Sequence, residues 1–212
     1  MDFPRHDLER RLGDGLRSLD LTLTPDASAR LLDYLQLLAR WNRSFNLTAV
    51  RDPAAMVTRH LLDSLAIAPH LQGTSAADLG SGAGLPGIPL AIAAPERQWL
   101  LVDSNGKKAR FLRAAVRELD LANVQVAQQR VEDVQGRFDC VTARAFASLP
   151  DMLAWGGHLL APSGLWLAMK GRRPDDELAA LPPGFTLESE TTLAIPGLDA
   201  ARQLLALRRS GA

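Results

Sequence analysis

The residues best able to do chemistry stand together at Asp78-Leu-Gly80-Ser-Gly82-Ala-Gly84-Leu-Pro-Gly87. Glycines at this density let a backbone turn sharply and bring its N–H groups up to a ligand with no Cβ atoms in the way. The run follows a short apolar segment, 76–79, and opens a helix-length one, 86–94. That strand–loop–helix context is the one in which such a loop holds a cofactor. Further acids end later apolar runs: Asp103 after 98–102, and Glu132-Asp133 after 124–126. An open parallel sheet presents its ligand-binding groups at the carboxyl ends of its strands, so these acids are candidates for gripping a ligand there.

Two ligands compete for the loop. Gly82-x-Gly84-x-x-Gly87 matches the dinucleotide fingerprint, with Asp103 about 20 residues on to hold a ribose. Asp78-x-Gly80-x-Gly82-x-Gly84 matches the first motif of S-adenosylmethionine methyltransferases. Three features favour the second. Asp78 would repel a pyrophosphate but could order the loop or reach the amino end of a methionine moiety. Pro86 removes a backbone N–H from the turn that would face a pyrophosphate. The acid pair Glu132-Asp133 adds more negative charge at the same sheet edge.

The elements that must position these residues are legible from periodicity. Thr24-Pro25 reads as an N-cap followed by proline at the first helical position, and Leu31, Tyr34, Leu35, Leu38 and Trp41 then share one helical face. Asp52-Pro53 repeats the signal before Val57, Leu61, Leu65 and Ala68. A weaker helix over 8–19 is interrupted by Gly13 and Gly15. From residue 74 short apolar runs (76–79, 98–102, 124–126, 138–142, 165–169) alternate with helix-length segments (86–94, 105–120, 150–161). That alternation predicts βαβ units and a parallel sheet. Segments 185–195 and 203–208 read as an antiparallel pair finishing it. The expected architecture is α/β: a doubly wound, mostly parallel sheet with an antiparallel C-terminal strand pair. A helical N-terminal cap covers 1–73, and a cofactor-binding domain covers 74–212.

Composition bounds the rest. The 212 residues carry 24 basic and 24 acidic groups, so any polyanion contact must come from a local patch rather than bulk charge. With 47% hydrophobic and 23% charged residues the chain has ordinary globular composition. A charged N-terminus without an apolar h-region, and no apolar stretch near ~18 residues, predict a cytoplasmic protein with no membrane contact. One cysteine, Cys140, leaves neither an internal disulfide nor a cysteine metal cluster, and no metal is expected.

Beyond the glycine loop, the chain closely resembles the RsmG (GidB) family of small-subunit ribosomal RNA methyltransferases. The resemblance rests on 42–48 (NRSFNLT), 59–64 (RHLLDS), 78–92 (DLGSGAGLPGIPLAI), 103–112 (DSNGKKARFL), Arg130-Val131-Glu132, 138–149 (FDCVTARAFASL) and Lys170-Gly171. It implies a Rossmann-like class I fold, S-adenosylmethionine as cofactor, and methylation of N7 of a guanine (position 527) in 16S ribosomal RNA. Onto this sequence it places the cofactor pocket at Gly80, Gly82 and Leu85, at Asp103 and Ser104, at Val131 and Glu132, and at Arg144. Asp103 suits a ribose diol, and Val131 suits an adenine face. Arg144 is less expected beside a cationic sulfonium; it could orient the cofactor carboxylate, stand between cofactor and RNA, or be a buried arginine paired with an acid.

Guanine N7 carries a lone pair and no proton, so the chemistry needs alignment rather than a general base. No triad, metal cluster or Asn-Pro-Pro-Tyr motif is present, and no catalytic residue is assigned. Phe146 is a candidate for stacking on an exposed, splayed-out target base, or a plain core aromatic. Lys107, Arg110, Arg113 and Arg117 form one stripe on the 105–120 helix, either a phosphate track or a solvated face. Lys170, Arg172 and Arg173 follow the fifth strand at the expected cofactor edge and are RNA candidates. So are Asn46 and the Arg59, His60, Asp63, Ser64 group, which could equally dock the cap onto the sheet. Trp41, Trp99, Trp155 and Trp166 are expected in the core. The expected partner is 16S ribosomal RNA or a small-subunit assembly, met by a monomer. An NAD-linked oxidoreductase and a non-catalytic RNA-binding module are the alternatives.

Overall fold

Thr24 starts a helix as its place before proline predicts: its hydroxyl accepts from the Ala27 amide at 3.1 Å, and α2 runs Pro25–Phe45. The computed structural model describes residues 3–144 and 147–211. α1 spans Arg5–Ser18, the weak helix of the sequence. Its Gly15 is there for packing: a Cβ would lie 2.3 Å from Leu62 Cδ1. The Asp52 carboxylate caps α3 (Pro53–Met56) by accepting from the amides of Ala54 and Ala55. The expected continuous α-helix then widens into a π-helical segment, Val57–Leu62, before α4 (Asp63–Leu65). Such segments are rare and concentrate at functional sites.

Strands and helices then alternate as β1 (Ser75–Leu79), α5 (Gly87–Ala93), β2 (Gln98–Val102), α6 (Gly106–Glu118), β3 (Val124–Ala127), β4 (Phe138–Arg144), α7 (Leu149–Gly156) and β5 (Leu160–Lys170). A short α8 (Asp175–Ala179) precedes β6 (Phe185–Thr192) and β7 (Gln203–Arg209). α7 stops five residues short of the expected helix end. Gly156-Gly157 ends it, because glycine is a poor helix former; Gly157–Leu159 form a 3₁₀ turn and 160–161 join β5. The sheet order is β3-β2-β1-β4-β5-β7-β6. Its first five strands are parallel, and β7 runs antiparallel between β5 and β6. This is the doubly wound α/β architecture expected, with its antiparallel C-terminal pair.

Two apolar layers hold the sheet. On one face the N-terminal helices, α5 and α6 share a single core that includes Leu8, Leu31, Tyr34, Leu61, Ile88 and Phe111. On the other, Leu149 and Met152 of α7 pack with Val131, Val141 and Trp166. The strand order reverses between β1 and β4, so the crevice where ligands bind in such sheets opens at the carboxyl ends of those two strands.

Candidate active site

Asp78 organises the glycine loop from within. It is fully buried; Oδ2 accepts from the Gly87 amide at 3.2 Å and Oδ1 from the Thr142 hydroxyl at 3.1 Å. Burial pushes its carboxyl up to about 6, against the opposing pull of these hydrogen bonds. Asp78 therefore ties the loop to α5 and β4, which is the first of the two roles open to it. Gly87 must be glycine for the same reason: a Cβ would stand 2.3 Å from Leu101 Cδ2 and 2.8 Å from Asp78 Oδ2. Gly82 sits at φ +59 and faces open space, with nothing nearer to a would-be Cβ than 3.8 Å. Ser81 stitches the turn to the neighbouring strand, its hydroxyl donating to Asp78 O and accepting from the Val102 amide.

A cavity of about 460 Å³ opens beside this loop and brings together five expected residues: Gly80, Asp103, Ser104, Val131 and Glu132. Asp103 is 6% exposed; Oδ2 accepts from the Gly82 amide and Oδ1 from the Asn105 amide, each at 2.9 Å. A carboxylate has about four lone-pair positions, so two are left for ligand hydroxyls. Lys108 Nζ lies 3.6 Å from Oδ2. Val131 is buried at the cavity wall, while Ser104 and Glu132 are exposed. Trp155 corrects the expectation that all four tryptophans are core. Trp99 and Trp166 are, but Trp155 is 37% exposed and lines the cavity, because it falls off the Leu149–Met152–Leu153–Gly156 stripe of α7. Leu85 is buried among the N-terminal helices rather than lining the cavity.

Arg144 lies on the other side of Gly80. Leu79 pairs with Ala143, so Gly80 and Arg144 are the next residues at the two strand ends. Arg144 Nη1 donates to Asp63 Oδ2 at 2.9 Å and to Arg59 O at 3.2 Å. His60 is buried, and burial pulls its imidazole down to about 4, so it is neutral. Its Nε2 meets Thr48 Oγ1 at 2.9 Å, while its Nδ1 and Ser64 Oγ are buried with no hydrogen-bond partner. Asn46 is exposed in the left-handed conformation that ends α2 and accepts from Arg51 at 2.7 Å. The turn is knitted instead by Asn42, whose side chain both donates to Thr48 O and accepts from Thr48 N at 2.9 Å.

The basic candidates are unevenly engaged. Lys170 donates to Ala147 O and pairs with Glu177 at 2.7 Å, and Arg173 pairs with Asp175 and Glu190. Arg172 is exposed and has no ion pair among the described residues. Lys107, Arg110, Arg113 and Arg117 all lie exposed on α6, as their spacing predicts, with Arg113 donating to Gln128 at 3.0 Å. Phe146 lies outside the described residues. Among the described residues no group of three or more candidate metal ligands occurs and no helix is long and apolar enough to cross a membrane.

Sequence reasoning missed Tyr34, Asn42, Lys108 and both ion-pair partners of Asp63, Arg144 and Arg202, since Arg59 one turn earlier is the partner its spacing suggests. Only Lys108 left a local signal, five residues after Asp103 on the first turn of the next helix.

Comparison with known proteins agrees with this geometry. The family described as "GidB: rRNA small subunit methyltransferase G" matches residues 27–205. "Ribosomal RNA small subunit methyltransferase G" of Xanthomonas oryzae pv. oryzae is 52% identical over 206 residues, 96% of each chain. That of Pseudomonas syringae pv. syringae is 49% identical over 212 residues, 99% of this chain and 98% of its own. Among solved structures, the O-methyltransferase TomG of Streptomyces achromogenes, in complex with SAM, superposes with a TM-score of 0.59 at 16% identity. The match covers 96% of this chain and 98% of that one. The tRNA methyltransferase TrmK of B. subtilis gives 0.56 at 13% identity, over 72% and 68%. At these identities the structural likeness speaks for the fold.

Proposed function

The chain belongs to the GidB family of rRNA small subunit methyltransferases, and from that membership we propose that it methylates N7 of a guanine, position 527, in 16S ribosomal RNA. It is an S-adenosylmethionine-dependent rRNA methyltransferase. It works in the cytoplasm, as a monomer, on the small subunit or an assembly intermediate of it.

One observation carries the cofactor reading: a nearly buried carboxylate, Asp103, held by the amide of Gly82 at the carboxyl edge of the sheet. An acid with two spare lone pairs fits a ribose diol, and the buried Asp78 beneath the same loop opposes a diphosphate. Val131 and Trp155 add apolar surface for a purine, and Gly82 leaves the cradle free of side-chain atoms. When bound, S-adenosylmethionine supplies an electrophilic methyl group on a positively charged sulfur.

What the chain itself must do is modest. N7 bears a lone pair and no proton, so no side chain has to remove one. The residues hold the two reactants in line, an effect worth up to ~7–11 kcal/mol in favourable cases. Asp78, Ser81 and Tyr34 hold the glycine loop rigid; Asp103 and Val131 orient the donor. Acids near the site also tolerate the cationic methylated base. Isothermal calorimetry with S-adenosylmethionine and NAD tests the cofactor, and mass mapping of nucleosides in RNA from a deletion strain tests the target. Tight binding of NAD, or an unchanged N7-methylguanine at position 527 in that strain, would overturn the proposal.

A further inference from the structure

Arg144 ends β4 beside the reversal in strand order, and it is held from one side only. Both of its hydrogen bonds to described residues run through Nη1, to Asp63 Oδ2 and to Arg59 O. The same Asp63 carboxylate, 1% exposed, accepts at its other oxygen from Arg202 Nε at 2.7 Å. Asp63 is 81 residues from Arg144 and 139 from Arg202. One acid of the N-terminal helices thus joins the end of β4 to the segment entering β7.

A carboxylate this buried needs a charge partner, and one arginine would suffice. An arginine facing a free carboxylate usually engages both oxygens with a two-pronged fork. Here Arg202 takes a lone pair of Oδ1 and Arg144 engages Oδ2 alone. Asp63 therefore holds Arg144 by a single nitrogen, and the guanidinium, with its side chain 21% exposed, has no partner for Nε and Nη2 among the described residues, which leaves them for a ligand. The cluster also has a definite charge: two guanidiniums and one carboxylate sum to +1. Without the acid, two uncompensated cations, Arg144 and Arg202, would stand together near a crevice read as holding a cationic cofactor.

We propose that Asp63, shared with Arg202, is a positioning residue: it aims Arg144 at the crevice between β1 and β4 and sets the charge that a sulfonium cofactor meets there. This rests on the cofactor reading given above. S-adenosylmethionine and S-adenosylhomocysteine separate the charge effect from general loosening, since the second has a neutral thioether and otherwise shares the first's functional groups.

The experiment measures both affinities by calorimetry for the wild type, Asp63→Asn, Arg202→Gln and Arg202→Lys. Asp63→Asn is expected to weaken S-adenosylmethionine about tenfold more than S-adenosylhomocysteine. Arg202→Gln lowers the cluster charge to zero and is expected to move the ratio the opposite way by several-fold. Arg202→Lys keeps the charge and is expected to keep the wild-type ratio. Equal weakening of both ligands, as a plain anchor would give, overturns the proposal, and so does an unchanged ratio. If Asp63→Asn does not fold, Arg202→Gln, at a side chain 25% exposed, still decides the matter by the sign of its shift. A wild-type protein that binds neither ligand would sink the cofactor reading itself.

Discussion

Tyr34 of the N-terminal helices donates a 2.7 Å hydrogen bond to the carbonyl of Ala83, in the middle of the glycine loop, and both residues are buried. The helical region is thereby a structural support of the cofactor loop, at a distance of 49 residues in sequence. Burial drives the phenol pKa upward, so Tyr34 remains a donor throughout the working pH range. Replacing it by Phe leaves the Ala83 carbonyl without its partner. The expected cost is ~1–3 kcal/mol in denaturant melts, with several-fold weaker S-adenosylmethionine binding in calorimetry. A variant as stable as wild type with unchanged affinity would remove this role.

Asp103 is expected to be indispensable to cofactor binding. Asp103→Ala removes the acceptor of the Gly82 and Asn105 amides together with the lone pairs left for a ribose, and it leaves Lys108 unpaired. S-adenosylmethionine affinity should fall at least tenfold, about 1.4 kcal/mol, while the fold persists by circular dichroism. Retention of wild-type affinity would place the ribose elsewhere.

His60 should give the protein an acid-sensitive component of stability. Its folded pKa, about 4, lies below the ordinary imidazole value of 6.5, because burial disfavours the charged ring. A depressed folded pKa means stability that is present above pH 6.5 and is lost as the pH falls toward 4, since the unfolded chain takes up the proton first. Between pH 7 and pH 5 that loss is about 2 kcal/mol. Urea melts at the two pH values should show a correspondingly smaller difference for His60→Gln than for wild type. Identical pH dependence in the two proteins would contradict the assignment.

The α6 stripe is expected to touch RNA phosphates. Arg110 and Arg117 are exposed on it. Replacing both by Gln should raise KM for the RNA several-fold and leave S-adenosylmethionine affinity alone. The slope of log affinity against log salt should shrink by about 1.4, two contacts at ~0.7 each on single-stranded RNA. An unaltered salt slope identifies the stripe as a solvated helix face.

Much of this protein was readable from local pattern. Thr24, Asp52 and the Leu31–Trp41 face announce their helices, and the alternation after residue 74 announces the parallel sheet. The acids at strand ends, Asp78 and Asp103, fall beside the glycine loop, because parallel strands bring their carboxyl ends to one edge. Caps, periodicity and turn glycines act over a few residues, so a single stretch of sequence is enough to reveal them. The π-helical widening at Val57–Leu62 left no such mark, since an apolar residue at every fourth position suits either helix.

Folding alone decided which side chains meet across the chain. Asp63 reads as a natural partner for Arg59 one turn earlier, yet it pairs with Arg144 and Arg202. Asn42 rather than Asn46 knits the turn before the π-helical segment, and Trp155 faces the cavity rather than the core. Asn42 acts across six residues and Trp155 lies off the buried stripe of its own helix, whereas the Asp63 pairing depends on the relative placement of elements 81 and 139 residues apart in sequence. That placement is set by how the two apolar layers pack on the sheet, a property of the whole core that no local spacing encodes.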